Sequence, residues 1–182
     1  MSKPNGRYRK IVLSDDINNE TASNLIKAII EINEDDDRKE EDYKDWVREP
    51  ILLFINSFGG SVYNGLACVD IIQQSKTPVH TISIGSSMSM GLWIYLAGHK
   101  RFIGKNSTLM YHDVTKFVQD KLEGLDQELN EGRRLSKMYC DIITSTSSVK
   151  QEILDDYIER KAEWYIPAAR AIELGLADGY YE

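Results

Sequence analysis

The stretch PILLFINSFGGSV (residues 50–62) joins a continuous apolar run to a pair of glycines. An unbroken apolar run of this length, bounded by a proline and a glycine turn, is typical of a strand buried on both faces of a parallel sheet. The glycines allow a sharp turn and let bare backbone N–H groups approach a ligand. Because the helical pattern VYNGLACVDIIQQS follows at once, the stretch predicts the start of a βαβ unit.

The same alternation continues on both sides of this stretch. Downstream, PVHTISIG (78–85) predicts a strand and SMSMGLWIYLAG (87–98) a helix; upstream, KIVLSDDI (10–17) predicts a strand and residues 18–33 a helix. Alternating strands and helices favour a layered α/β domain with a parallel sheet. Its glycine and serine turns should meet at one sheet edge, where α/β proteins bind ligands.

The rest of the chain predicts more strands and helices without an internal repeat. KRFIG (100–104) and STLMYHDV (107–114) have strand character, whereas helical patterns cover about 118–145, 149–165 and 167–175. The charge-dense stretch EDDDRKEEDYKDWVREP (34–50) is interpreted as a solvated surface excursion that Trp46 anchors. One domain over residues 1–182 is expected.

Composition excludes several functional classes. A net charge of −7 argues against binding nucleic acid or an anionic membrane surface. The chain has no apolar run long enough to span a membrane, and its polar start lacks the apolar core of a signal peptide, so we expect a cytoplasmic protein. Cys68 and Cys140 lack metal-ligand spacing and are interpreted as reduced packing residues.

The chemistry is concentrated in IGSSMSMGLW (84–93), which places three serines at the end of a predicted strand. A serine hydroxyl attacks a carbonyl only when a base takes its proton and donors stabilise the resulting oxyanion. Among the three histidines, His80 lies in an apolar strand and His99 in a turn, whereas His112 ends a strand beside Asp113. From the residues alone, His112 is either a base or a hydrogen-bonded structural residue.

Residues 50–112 resemble the ClpP family of self-compartmentalised serine peptidases, with INSFGGSV, MSMG and KNSTLMYH at its motif positions. The resemblance implies Ser89 as nucleophile and His112 as general base. It implies oxyanion donors at the N–H groups of Gly60 and Met90, and substrate binding by strand addition at Val62.

Two further serines are given supporting roles by the same resemblance. Ser86 and Ser87 are expected at the start of the helix, where they cap it or pack against it. The three serines of IGSSMSMGLW would then comprise one nucleophile and two structural residues.

The third catalytic position is left open. EWYIPAARAIELGLAD (163–178) aligns with the family's ending and places Glu163 where family members have an aspartate. Glutamate can orient a histidine, and Asp155 or Asp156 are the substitutes upstream. A Ser89–His112 dyad, with all three carboxylates on a solvated helix face, is the remaining alternative.

The resemblance also implies a fold and partners. The fold would be the spiral of ββα units that the family shares with crotonases, with a protruding helical handle at about residues 118–150. The chain would form a ring-shaped homo-oligomer that cleaves peptides or unfolded proteins and requires no metal or organic cofactor. Its long helix carries an apolar stripe suited to such contacts: Leu122, Leu125, Leu129 and Leu135.

The sequence departs from the family at two places: a strand that lines the substrate groove and helps join two rings, and the N-terminal segment through which an unfoldase ATPase, a possible partner, would dock. DVTKFVQDKLEG (113–124) replaces the family's Gln-Pro and glycine-rich strand, although a strand is still expected from Val114 to Val118. The N-terminal segment used at the axial pore is expected to be absent. Two other functions therefore stay open: a ring subunit without activity, and a crotonase-like acyl-CoA enzyme, which also uses two backbone N–H donors.

Overall fold

The computed structural model describes residues 9–114 and 122–182. Its elements in chain order are β1 (Lys10–Leu13), α1 (Asn19–Asp42), β2 (Ile51–Ser57), α2 (Val62–Gln74), β3 (Val79–Met88), α3 (Met90–Leu96), β4 (Lys100–Ile103), β5 (Thr108–Tyr111), α4 (Leu122–Thr146), α5 (Gln151–Glu159), β6 (Trp164–Pro167), α6 (Ala168–Glu173) and β7 (Gly179–Tyr180). The predicted alternation of strands and helices is confirmed.

Within these residues, seven strands form one sheet. β1, β2, β3, β4 and β7 pair in parallel in that order, and β5 pairs in parallel with the end of β3. β6 adds to β5 in the antiparallel direction. The predicted α/β class with a parallel sheet is confirmed, and β2, β3 and β5 end at the same edge.

The apolar run of β2 is covered unequally on its two faces. Ile51, Leu53 and Ile55 are completely buried against the helices, whereas Leu52 and Phe54 are only half-buried. Tyr181 packs edge-on against Phe54, with 5.4 Å between ring centroids. The prediction of a strand buried on both faces is therefore wrong for the isolated chain, because the second face has only partial cover.

The charge-dense stretch after residue 33 is also different from the expectation. Helix α1 continues through it to Asp42, and Asp36 on this helix is completely buried. Its carboxylate is paired with the guanidinium of Arg9 and accepts a hydrogen bond from the Thr77 hydroxyl at 2.7 Å. Part of the predicted solvated excursion is thus a helix that a buried ion pair anchors. Trp46 contacts this helix, because the ammonium of Lys39 lies over its ring.

The serine cluster lies in a strand rather than at the start of a helix. β3 extends through Ser86 and Ser87 to Met88, and the helix begins only at Met90. The Ser87 hydroxyl donates to Ser83 Oγ at 2.8 Å, and the Ser86 hydroxyl donates to Asn56 Oδ1 at 3.1 Å. Packing of these two serines was expected correctly, whereas helix capping was wrong.

The predicted handle corresponds to helix α4. Its C-terminal half is packed on the core through Leu135, Tyr139, Cys140 and Ile143, whereas Leu129 is 48% exposed. The side chains of Leu122 and Leu125, and most of the strand predicted from Val114 to Val118, lie outside the described part of the chain. The next helix, α5, ends at Glu159 instead of reaching residue 165, because Trp164 starts strand β6.

Candidate active site

One cavity lies at the edge where β2, β3 and β5 end. It is lined by five of the residues that the sequence predicted for the site: Gly60, Val62, Ser89, Met90 and His112. Each follows the end of a parallel strand or begins the next helix, so the topology alone gathers these residues from three separate segments.

Ser89 occupies a strained backbone conformation between β3 and α3. Its φ of 51° and ψ of −123° lie in a region that residues with a side chain rarely adopt, at a cost of about 1–3 kcal/mol. Hydrogen bonds hold both sides of the residue: its N–H donates to the Met110 carbonyl at 2.9 Å, and its carbonyl accepts from the Tyr139 hydroxyl at 2.8 Å. The turn thus leaves the serine side chain half-buried at the cavity.

The glycine turn after β2 lies directly against the Ser89 turn. A methyl group on Gly59, whose φ is +109°, would lie 2.8 Å from Ser89 Cβ and 3.1 Å from Met90 N. Ile17 fixes the same turn, because its N–H donates to the Gly59 carbonyl and its carbonyl accepts from the Ser61 N–H, both at 2.8 Å. The close contact brings Gly60 and Met90 beside Ser89.

The N–H groups of Gly60 and Met90 are suited to bind an anionic oxygen. Met90 is the first residue of α3, where backbone N–H groups have no partner within the helix. Among the described residues, neither N–H donates to a backbone carbonyl of another turn or loop. Both residues line the same cavity, and a tetrahedral oxyanion is stabilised by two such backbone donors.

His112 follows the end of β5 and is half-buried in the cavity wall. Its Nδ1 lies 2.6 Å from the backbone carbonyl of Asp113. A carbonyl oxygen only accepts, so Nδ1 carries the proton and Nε2 is the nitrogen that can take one. Asp113 is itself fixed, because its Oδ1 accepts from the Ser136 hydroxyl at 2.6 Å and from the Val114 N–H at 2.8 Å.

Glu163 lies beside His112 but is hydrogen-bonded elsewhere. Both residues line a second cavity, which also contains Lys161 and Ala162. The Glu163 carboxylate is exposed and accepts a 2.5 Å hydrogen bond from the Tyr165 hydroxyl, which raises the pKa of Tyr165. In this arrangement the Nδ1 partner of His112 is a backbone carbonyl rather than the predicted carboxylate.

The two substitutes for Glu163 lie on helix α5 and are exposed. Asp155 accepts a hydrogen bond from Gln151 at 2.8 Å, and Asp156 forms an ion pair with Arg160 at 2.9 Å. Neither of them lines the cavity that contains Ser89.

Sequence reasoning missed two aromatic residues of the cavity, Trp93 and Tyr139. Their rings meet edge to face, with 4.7 Å between centroids, and Tyr139 is buried. The helical spacing of Tyr139 with Leu135 and Ile143 indicates that it faces the core, but no pattern in the sequence identifies Ser89 as its neighbour.

The remaining candidate groups have structural surroundings. Both cysteines are buried with free thiols, and burial raises the pKa of Cys68 to about 11. His99 accepts a hydrogen bond through Nδ1 from the Val79 N–H at 3.0 Å. Within residues 9–114 and 122–182, no group of three or more His, Cys, Asp or Glu side chains is arranged to hold a metal ion, and no helix is long and apolar enough to cross a membrane.

The fold and the cavity define an α/β protein whose candidate site combines a serine, a histidine and two backbone N–H donors, the groups needed for acyl transfer. The family model for Clp protease matches residues 5–182, nearly the whole chain. The chain therefore belongs to the Clp protease family, which is a family of peptidases.

Curated relatives carry the same description. The proteolytic subunit of the ATP-dependent Clp protease from Borreliella afzelii is 32% identical over 177 residues, which cover 94% of this chain and 82% of the relative. Proteolytic subunit 1 from Prochlorococcus marinus strain MIT 9312 is 26% identical over 174 residues, covering 94% and 83%.

A solved structure supports the fold independently. A mutant of ClpP1 from Listeria monocytogenes superposes with a TM-score of 0.81, at 23% identity, over 97% of this chain and 92% of that one. The predicted ClpP-like fold is thus confirmed.

Proposed function

We propose that the protein is a serine endopeptidase in which Ser89 is the nucleophile and His112 the general base. The observation that carries the proposal is one cavity lined by Ser89, His112, Gly60 and Met90, at the common edge of three parallel strands. Membership of the Clp protease family favours peptide hydrolysis over the chemistry of a crotonase-like acyl-CoA enzyme.

The proposed reaction follows from the positions of these groups. Nε2 of His112 takes the Ser89 proton as Oγ attacks the peptide carbonyl carbon. The N–H groups of Gly60 and Met90 stabilise the oxyanion, and His112 then protonates the departing amine. A water molecule, activated by His112, hydrolyses the resulting acyl-enzyme. None of these steps needs a metal or organic cofactor.

The group that orients His112 is proposed to be the backbone carbonyl of Asp113. This choice is supported by the 2.6 Å contact with Nδ1 and by the hydrogen bonds that fix Asp113. Glu163, which the family resemblance selects, is the second candidate because it lines the second cavity together with His112. Its carboxylate would have to exchange its Tyr165 hydrogen bond for one to the imidazole.

Substrate binding and assembly are proposed from the same family. Val62 lines the cavity at the start of α2, where an extended peptide could add alongside the chain. The exposed apolar side chains Leu129, Met138 and Ile153 on α4 and α5 favour a homo-oligomeric ring. A single species near the 20.8 kDa chain mass in light scattering would contradict the ring.

An ATPase partner is supported only by the relatives, which are named ATP-dependent Clp protease proteolytic subunits. A test is whether a purified Clp ATPase, with ATP, allows the protein to degrade an unfolded substrate.

The decisive experiment on the chemistry is labelling with a fluorophosphonate, which modifies activated serines. Wild type should be labelled, and Ser89→Ala should lose labelling and reduce cleavage of short peptides by several orders of magnitude while folding normally. Ser86→Ala is the matched control and should remain active, since Ser86 lies in β3 and contacts Asn56. Wild type that is neither labelled nor active would support the inactive ring subunit.

A further inference from the structure

One turn of helix α4 contacts both halves of the candidate site. The Tyr139 hydroxyl donates to the Ser89 carbonyl at 2.8 Å, and the Ser136 hydroxyl donates to Asp113 Oδ1 at 2.6 Å. Residues three apart lie on the same face of a helix, so Ser136 and Tyr139 approach the site together. Neither residue was selected by the sequence patterns.

The Tyr139 hydrogen bond fixes more than the Ser89 carbonyl. The peptide bond between Ser89 and Met90 is trans, and a trans peptide is planar, with its C=O and N–H pointing in opposite directions. The Ser89 carbonyl also accepts from the Leu92 N–H at 3.0 Å, so Tyr139 and the first turn of α3 hold it together. Holding this carbonyl also sets the direction of the Met90 N–H, which is one of the proposed oxyanion donors. The strained ψ of Ser89 makes this orientation dependent on its surroundings.

Tyr139 is well held for this purpose. Its ring packs edge to face with Trp93, at 4.7 Å between centroids, and is tilted against Tyr111 at 5.0 Å. Burial raises the pKa of its hydroxyl well above the usual range, so the group remains a neutral donor at any working pH. The ring thus joins the helix after Ser89 to the strand before His112.

Ser136 acts on the other half of the site through Asp113. The side chain of Asp113 is held by Ser136, and its backbone carbonyl lies 2.6 Å from His112 Nδ1. A movement of Asp113 would displace the carbonyl that holds His112 Nδ1 and so release the imidazole. The same helical turn therefore fixes the donor and the base.

We infer that Tyr139 and Ser136 are positioning residues: Tyr139 aims the Met90 N–H at the oxyanion, and Ser136 holds the carbonyl that orients His112. The inference rests on the proposed serine peptidase mechanism. It assigns the turn of helix α4 that contains Ser136 and Tyr139 a role in catalysis besides its packing on the core.

Tyr139→Phe tests the first half, because it keeps the ring and removes only the hydroxyl. Removing an oxyanion donor costs about 100-fold to 1000-fold in kcat, so a misaimed donor should lower kcat by about 10-fold to 100-fold with KM little changed. Tyr95→Phe is the matched control: Tyr95 is also completely buried, and its hydroxyl has no hydrogen-bond partner among the described residues. Its kcat should equal that of wild type.

Inhibition by a peptide boronate separates positioning from loss of structure. The boronate forms a tetrahedral adduct with the serine, so its inhibition constant for Tyr139→Phe should rise by about the factor by which kcat/KM falls. The role of Tyr139 would be overturned if the inhibition constant of Tyr139→Phe stayed unchanged and the loss of activity equalled the fraction of enzyme that fluorophosphonate fails to label. So would a kcat within twofold of wild type.

Ser136→Ala tests the second half, with Ser136→Thr as the variant that restores the hydroxyl. We expect Ser136→Ala to lower kcat about 10-fold and to shift the midpoint of the pH–rate profile, because the surroundings of His112 change. Ser136→Thr should recover most of the rate. Ser145→Ala is the control, since among the described residues the Ser145 hydroxyl donates only to the Ile142 carbonyl of its own helix. A Ser136→Ala profile identical to wild type would overturn this role.

The two levels of the argument fail differently. If wild type is not labelled at Ser89, the proposed function fails and this inference fails with it. If wild type is labelled and active while Tyr139→Phe and Ser136→Ala match their controls, only the positioning roles are overturned.

Discussion

The cavity around Ser89 and the surroundings of Asp36 both contain polar groups held by hydrogen bonds, but the cavity is open to solvent whereas Asp36 is completely buried. The cavity uses backbone N–H groups, hydroxyls and an imidazole around a strained serine. Asp36 lies on a regular helix, and its charge is neutralised by Arg9 and hydrogen-bonded by Thr77. The first region holds the proposed reacting groups around a strained backbone, whereas the second region holds helix α1 to the strands. Stability and activity should therefore be separable by mutation.

The largest effect is expected from Asp36→Asn. The substitution keeps the shape of the side chain but leaves the buried guanidinium of Arg9 without its counter-charge, which costs about 3–5 kcal/mol in the free energy of unfolding. The rate of peptide cleavage per folded molecule should stay the same. Chemical denaturation and peptide assays on one preparation measure the two quantities.

Asp35→Asn is the control for this prediction. Asp35 is half-exposed and pairs with Lys39 and Arg38 on the same helix surface, so its loss should cost less than about 1 kcal/mol. Equal destabilisation by the two variants would mean that burial of the Asp36 pair contributes nothing special.

The same ion pair predicts a pH dependence. Burial alone would raise the pKa of Asp36, but the hydrogen bonds from Arg9 and Thr77 and the Arg9 charge lower it below the usual Asp value. The stabilisation is fully present above the pKa of the unfolded state, at about 4, and is lost as the pH falls through the lowered folded pKa. Wild type should lose this stability on acidification, and Asp36→Asn should show a correspondingly flatter dependence.

Gly59→Ala attacks the other region. The added methyl group would lie 2.8 Å from Ser89 Cβ at a φ of +109°, so the two turns must separate. Because a shift of about 1 Å in a reacting group costs about 100-fold in rate, we expect kcat/KM to fall at least that far. Gly179→Ala is the control, since in the described part of the chain no atom lies within 4 Å of its added methyl group. An active Gly59→Ala enzyme would show that contact between the two turns is not required.

A smaller effect is expected at Glu163. Because His112 Nδ1 contacts the Asp113 carbonyl and Glu163 accepts from Tyr165, Glu163→Gln should lower kcat less than 10-fold. Tyr165→Phe should be equally mild. A loss of 100-fold or more in Glu163→Gln, with activity restored in Glu163→Asp, would show that the carboxylate replaces the Asp113 carbonyl during turnover, as the sequence predicted.

The sequence predicts what local patterns determine. The apolar runs, glycine turns and helical periods identified nearly all elements, and motif positions selected residues that line one cavity. It could not predict the partners of Asp36, which are 27 and 41 residues away, or that Tyr139 contacts a serine 50 residues earlier. These contacts depend on how complete elements pack, and a charged stretch has the same local pattern whether one of its carboxylates is buried or not.

The smallest effect is expected at Gly132, in the part of helix α4 where residues 126–134 include no buried side chain. No atom of the described residues lies within 4 Å of a methyl group added to Gly132, and alanine is favoured over glycine inside a helix by about 0.5–1 kcal/mol. Gly132→Ala should therefore raise the free energy of unfolding by that amount. It should leave peptide cleavage unchanged, because Gly132 shares a cavity with Asp113 and Ser136 but the added methyl group would touch neither of them. Chemical denaturation and the peptide assay measure both. A loss of activity with a more stable fold would instead mean that this half of α4 must bend or unfold during turnover. The part of α4 that affects catalysis would then reach beyond Ser136 to Gly132.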